Sequence, residues 1–251
     1  MSTLLLTAVA IALAMLLLWL LSLRLRDSSI VDLFWGAGFV LTAWIALWNE
    51  GASPRGLLVT GLVSLWGLRL AGYLTWRNHG RGEDPRYVAM RRRHGDAWWW
   101  RSFFIVFVLQ GTLLWLISLP VQFAVRVPQL GWLDGVATGL VLLGVGFESL
   151  GDLQLARFKA NPANKGQLMT SGLWRTTRHP NYFGDAVVWW GLGLFGLASG
   201  AWWTIASPAL MTFLLVRVSG VSMLEGMMKD RPGYAEYVRA TSAFIPMPPK
   251  R

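Results

Sequence analysis

Long apolar runs alternating with short basic loops constrain this chain more than any other feature. Residues 4–23 carry no charge over about the length that crosses a bilayer. Further apolar runs follow at 31–48, 56–76, 103–123, 136–155, 183–197 and 202–223. The first has no positive residue before it and no small-residue cleavage site behind it, so it reads as a retained helix rather than a signal peptide. Of 251 residues, 54% are hydrophobic and 16 are tryptophan, more apolar side chain than a soluble domain of this size needs. The expectation is an all-α integral membrane protein, a single transmembrane domain over 1–251 built as a bundle of about seven transmembrane helices.

Charge sets the expected orientation. With these runs as helices, Arg55 and Arg126 fall on one side, Arg69 and Arg217 lie within runs, and the rest of the 23 basic residues fall on the other side. The positive-inside rule then puts the N-terminus outside and the C-terminus in the cytosol. The net charge of +10 is thereby a matter of topology, and no nucleic-acid partner is called for. There is no cysteine, and His79, His94 and His179 are too dispersed for zinc-site spacing. Neither thiolate nor metal catalysis is expected.

Polar residues inside such a chain are costly and so mark function. The densest group is 173–185, which places Arg175, Arg178, His179, Asn181, Tyr182 and Asp185 at the head of an apolar run. Pro180 suits a first helical turn, where its missing N–H costs nothing, and a helix is expected from about 180 to 197.

Other candidates are scattered along the chain. Asp32 heads the second run, either as a helix cap or as a donor facing a cavity, and Gly36 lets a ligand or another helix approach closely. Trp66, Arg69, Tyr73 and Arg77 share one helical face. Two guanidiniums turn that face inward, leaving Tyr73 as a phenol donor to a substrate carbonyl or as an interfacial tyrosine beside a snorkelling Arg77. Arg77, Asn78, Arg81, Glu83, Asp84, Arg86 and Tyr87, interleaved with Gly80 and Gly82, suit a loop that grips phosphate with guanidiniums and ribose hydroxyls with carboxylates. Arg91, Arg92 and Arg93 read as a solvated face near lipid headgroups, outside that site.

Toward the C-terminus, Glu148, Asp152 and Lys159 share a face, and Asn164 and Lys165 lead into the 173–185 group. Glu225 lies on the same side as Arg217, as a structural ion pair or a ligand contact. Tyr234 and Tyr237, with 244–246, could close over the cytosolic mouth.

Arg178-His179-Pro180-Asn181-Tyr182 followed by Gly184-Asp185 resembles the signature near the C-terminus of the membrane-embedded steroid 5-alpha reductase family and related sterol reductases. A similar Arg-His-Pro motif occurs in isoprenylcysteine carboxyl methyltransferases. The order of features is similar from the fifth run to the C-terminus. Uncharacterised bacterial members resemble the chain at 31–36 and 82–87 as well, which implies a bacterial inner membrane. The resemblance implies a seven-helix bundle whose cytosolic half binds NADPH and whose lipid-facing cavity admits a steroid. By the same implication Asp152, Lys159, Arg178, His179, Asn181, Tyr182, Asp185 and the loop 81–87 hold the cofactor, in a site built from 77–101, 148–185 and 225–246. Steroid-reducing members polarise the 3-keto group with a glutamate on the second helix and a tyrosine on the third. Here Asp32 stands for the acid, Trp66 falls where the tyrosine is expected, and Asp32 with Tyr73 becomes the expected donor pair.

The expected reaction is hydride transfer from NADPH to an activated C=C bond in a lipid-soluble, 3-oxo-Δ4-steroid-like enone. Two rivals are methyl transfer from S-adenosylmethionine and non-catalytic lipid binding. NADPH carries a pyrophosphate and a ribose phosphate, which the many basic groups suit better than the single carboxylate of a methyl donor.

Overall fold

The computed structural model describes residues 1–218 and 220–250. Ser219, within the seventh expected helix, and Arg251, one of the C-terminal basic residues, lie outside the described residues. The helices are α1 Thr3–Leu25, α2 Ile30–Glu50, α3 Pro54–Asn78, α4 Pro85–His94, α5 Trp98–Ser102, α6 Leu109–Ile117, α7 Leu119–Ala124, α8 Trp132–Ala160, α9 Pro180–Ala198, α10 Ala206–Phe213, α11 Val221–Met228 and α12 Tyr234–Ala240. Wider π-helical turns occupy Phe103–Val108 and Leu214–Val218.

Among the described residues, Thr3–Leu25, Ile30–Glu50, Pro54–Asn78, Pro85–Ile117, Trp132–Ala160 and Trp202–Met228 are long and apolar enough to cross a bilayer. The chain is therefore a helical, multi-pass membrane protein. α9 forms where the sixth helix is expected but is not among these six spans, its first turns carrying Asn181, Tyr182 and Asp185.

Local chemistry explains where the helices depart from the expected ranges. α3 starts two residues early because Ser53 accepts from the Gly56 N–H at 3.1 Å and Pro54 suits the first turn. The run 103–123, expected as one helix, is interrupted by a π-turn and then at Ser118, where Pro120 in the first turn of α7 lacks the N–H that would continue the ladder. The last run is likewise broken, into α10, a π-turn and α11.

The chain divides into two compact units. The first comprises Met1–Gly131 and Phe195–Thr204. Its helices α2 and α3 meet where Gly36 faces Gly67: a Cβ on either would fall 2.4 or 2.5 Å from the other's carbonyl oxygen, so the close approach expected at Gly36 is made by a helix. Beside that crossing Phe39 packs on Trp66 at 5.7 Å, and both rings are buried. Trp66 is thus a core residue. Thr7 Oγ1 donates to Gln122 Oε1 at 2.7 Å and Gln122 Nε2 to Ser118 Oγ at 2.8 Å, a polar seam in which buried polar groups satisfy one another.

The second unit comprises Trp132–Leu194 and Ile205–Arg251. Here α8 and α9 approach through Gly144, Gly184 and Gly191, where an added Cβ would meet backbone atoms of the facing helix at 2.6, 2.5 and 2.9 Å. The C-terminal segment straps onto the motif: Arg178 N donates to Ser242 O at 2.9 Å and Met247 N to Thr176 O at 3.0 Å, around a Thr177–Ser242 bridge.

Candidate functional site

Each unit brings candidate residues together in a polar cluster. In the first, the N-terminal turn of α2 presents Asp32 to α4 and α6. Arg86 Nη2 donates to Asp32 Oδ2 at 2.7 Å, and Tyr87 Oη donates to Oδ1 at 2.7 Å. Gln110 Nε2 reaches the same Oδ1 at 3.2 Å and the Tyr87 oxygen at 3.0 Å. Asp32 is therefore no N-cap; Ser29 occupies that position.

The acids of the loop serve α4 directly. Asp84 accepts from the Arg86 N–H at 2.9 Å, capping α4 ahead of Pro85, and from Arg86 Nε at 2.9 Å. Glu83 accepts the Ser28 N–H at 2.7 Å and a two-pronged contact from Arg91 at 3.0 and 2.8 Å. Burial alone would raise both carboxyls; the guanidiniums of Arg91 and Arg86 and the backbone donors outweigh it and hold Glu83 and Asp84 below their ordinary values. Arg91 thus departs from its expected role as a solvated cation, because the helix brings it back over Glu83.

The α3 stripe is also assembled. Arg69 and Arg77 flank the Tyr73 ring at 5.6 and 5.9 Å, and Arg77 Nε donates to Asn78 Oδ1 at 3.0 Å. At the C-terminal end of α3 a polar cavity of about 190 Å³ is lined by Asp27, Ser29, Asn78, His79, Gly80 and Gly82, among others, with Arg81 exposed between the two glycines. Positive φ at Gly80 and Gly82, +72° and +71°, is the backbone reason for glycine there. An apolar cavity of about 260 Å³ lies between α1 and α6, with Ile11, Met15, Phe107 and Trp115 in its walls.

The second cluster forms at the head of α9. Arg178 donates from Nε and Nη2 to Glu225 Oε1, at 2.8 and 2.6 Å, so Glu225 meets the motif. Its Nη1 donates to the Thr241 carbonyl and, at 3.3 Å, to that of Val238. His179 stacks on Tyr182 with ring centres 5.6 Å apart, and its Nε2 lies 3.5 Å from Glu225 Oε1. Burial, aided by Arg178 and opposed by Glu225, lowers the His179 ring to about 4.

Asn181 Nδ2 donates to Asp152 Oδ1 at 3.3 Å, joining α9 to α8. Glu148 and Asp185 are buried in the same unit, Glu148 beside Gly184. Tyr237 Oη donates to the Trp174 carbonyl at 2.5 Å and its ring meets Tyr234 at 6.4 Å. Burial raises both phenols. Asn164 folds back, its Nδ2 donating to Phe158 O at 2.9 Å, while Lys159, Lys165 and Arg175 are exposed.

Sequence reasoning missed Gln110 and the part played by Trp174; Gln154, adjacent to the face of Glu148, Asp152 and Lys159, accepts the Leu173 N–H on Oε1 at 2.9 Å. Gln110 carried a signal, being an amide inside an apolar run.

Over 91% of this chain and 75% of its own length, an uncharacterised protein of Schizosaccharomyces pombe is 27% identical. A probable O-methyltransferase, UstE of Ustilaginoidea virens, is 43% identical over 67 residues, which are 26% of this chain and 22% of that protein. No solved structure matches. A family described as a protein of unknown function, DUF1295, matches residues 18–241, and the chain belongs to that family.

Proposed function

We propose that this protein is a membrane-embedded, NADPH-dependent reductase of an activated C=C bond in a lipid-soluble enone. The observation that carries the reading is the presence, in the first unit, of an apolar cavity of about 260 Å³ among membrane-spanning helices and a polar one of about 190 Å³ at the end of α3. An enzyme that joins a water-soluble cofactor to a membrane-dissolved substrate needs both kinds of chamber.

The donor set of the polar cavity fits part of a dinucleotide. Its volume suits a ribosyl-sized fragment rather than the whole molecule. Asp27 and Asn78 offer groups for sugar hydroxyls, and Arg81 is exposed and available to a phosphate. Arg86 and Arg91 already serve carboxylates, which leaves Arg81 as the phosphate contact of this loop. When bound, NADPH supplies a hydride. The chain supplies Tyr73 to donate a hydrogen bond to the substrate carbonyl, with Arg69 and Arg77 packed on its ring. Asp32, whose two oxygens already accept three hydrogen bonds, holds Arg86 and Tyr87 in place and is a positioning residue.

A second reading, methyl transfer from S-adenosylmethionine, draws on the 43% identity with the probable O-methyltransferase over 67 residues. Calorimetry on the purified protein separates the two. NADPH is expected to bind more tightly than NADH, with S-adenosylmethionine ignored; the opposite order reverses the assignment. Asn181→Ala is expected to weaken NADPH binding by about 1–3 kcal/mol in a folded protein, and Arg81→Ala tests the first unit's loop by itself.

A further inference from the structure

The segment Pro85–Ile117 is 33 residues long, well beyond the roughly 20 that cross a bilayer. Its uncharged apolar stretch starts only after Arg101, so α4 and α5 stand at the membrane boundary. From Pro85 to Arg101 there are five basic residues besides His94 and a single acid, Asp96. Two of the five are spent internally, Arg86 on Asp32 and Asp84 and Arg91 on Glu83. Arg92, Arg93 and Arg101 are exposed, and beside them Trp99 and Trp100 are 59% and 43% exposed.

This surface is held, not loose. Trp98 is buried, with Nε1 donating to Ser28 Oγ at 3.3 Å, and Trp19 Nε1 donates to the Trp99 carbonyl at 2.9 Å. The Arg101 guanidinium lies 5.3 Å from the Trp100 ring centre and 3.0 Å from His94 Nδ1. Uncompensated guanidiniums next to exposed indoles at a membrane boundary match a phosphodiester at headgroup level with acyl chains below it.

We propose that Arg92, Arg93 and Arg101, with Trp99 and Trp100, form a binding surface for the headgroup of an anionic phospholipid. The proposal does not depend on the reductase reading. The test is native mass spectrometry of protein offered equal amounts of phosphatidylglycerol and phosphatidylcholine in detergent. The wild type is expected to retain phosphatidylglycerol selectively, less so as salt rises. Arg92→Gln/Arg93→Gln/Arg101→Gln should lower that retention about tenfold or more, while the corresponding triple lysine variant keeps much of it. Thermal melting of each variant checks that it folds; should the glutamine triple not fold, the lysine triple and the salt titration decide. Unselective retention by the wild type, no loss in the folded glutamine triple, or an equal loss in Arg24→Gln/Arg26→Gln, whose arginines are also exposed, overturns the proposal. So does displacement of phosphatidylglycerol by NADPH, which would assign these arginines to nucleotide phosphates.

Discussion

Arg178 and Glu225 are 47 positions apart and locked: two guanidinium nitrogens converge on one carboxylate oxygen at 2.8 and 2.6 Å, while a third nitrogen serves the Thr241 carbonyl. The motif residue that could grip a ligand anion is thus committed to α11 and to the C-terminal strap. Arg178→Ala removes all of these at once and strands a half-buried carboxylate. A loss of about 2–4 kcal/mol is expected, read as a lowered melting temperature in fixed detergent. Arg178→Lys keeps the charge without the fork and should recover only part of it.

His179 gives the second cluster a pH dependence whose sign is fixed by burial. Its ring titrates near 4 in the folded protein against an ordinary 6.5, so between those values the unfolded chain binds a proton that the folded one refuses. Stability is therefore flat above about pH 7 and falls as pH drops from 6.5 toward 4, by up to about 3 kcal/mol. His179→Gln cannot take up that proton. Denaturation curves at a series of pH values should be flatter for the variant in this window; parallel curves would remove His179 as the cause.

Much of this was legible in the sequence, and the remainder was hidden for identifiable reasons. The apolar runs, the head of α9 at Pro180 and the Gly36 approach follow from rules that act over one or two turns. Partner choice does not: Asp32 finds Arg86 across 54 positions, and nothing in the spacing told whether Arg86 would serve a carboxylate or a phosphate. The carboxylates of Glu83 and Asp84 read as acceptors for a sugar because both roles need the same oxygens. The π-turn at Phe103–Val108 was obscured because a continuous apolar run fits a straight helix and an interrupted one equally well, whereas Pro120 did signal the break at Ser118. Gln110 showed in the sequence only as an amide inside an apolar run, and its half-buried side chain takes its place in the Asp32 network.

That network separates positioning from donation. Tyr87→Phe leaves Asp32 and Gln110 each short of a partner, for an expected loss of about 1–3 kcal/mol. Combined with Asp32→Asn it should show a coupling of at least about 0.5 kcal/mol in a double-mutant cycle of melting free energies. Tyr73→Phe, by contrast, should slow single-turnover oxidation of NADPH with an enone by roughly 10² to 10³. Normal rates in Tyr73→Phe would take the donor role from this tyrosine.

The α8–α9 crossing offers a test that depends on no ligand. At Gly184 an added Cβ would fall 2.5 Å from the Glu148 backbone nitrogen, and at Gly144 2.6 Å from that of Val188; backbone cannot move aside as a flexible side chain can. Gly184→Ala must push the helices apart along their whole contact, disturbing the Asn181–Asp152 hydrogen bond at 3.3 Å on the next turn. Overpacking of this kind costs about 1–3 kcal/mol or more. Gly146, on the same helix as Gly144, has nothing within 4 Å of its added Cβ. There alanine gains helix propensity without a clash, so Gly146→Ala should be neutral or stabilising by up to about 1 kcal/mol. Melting temperatures of the three single alanine variants, measured in one detergent, are expected to fall for Gly144 and Gly184 and to hold or rise for Gly146. A uniform response would mean that helix propensity, not the close crossing, explains the glycines.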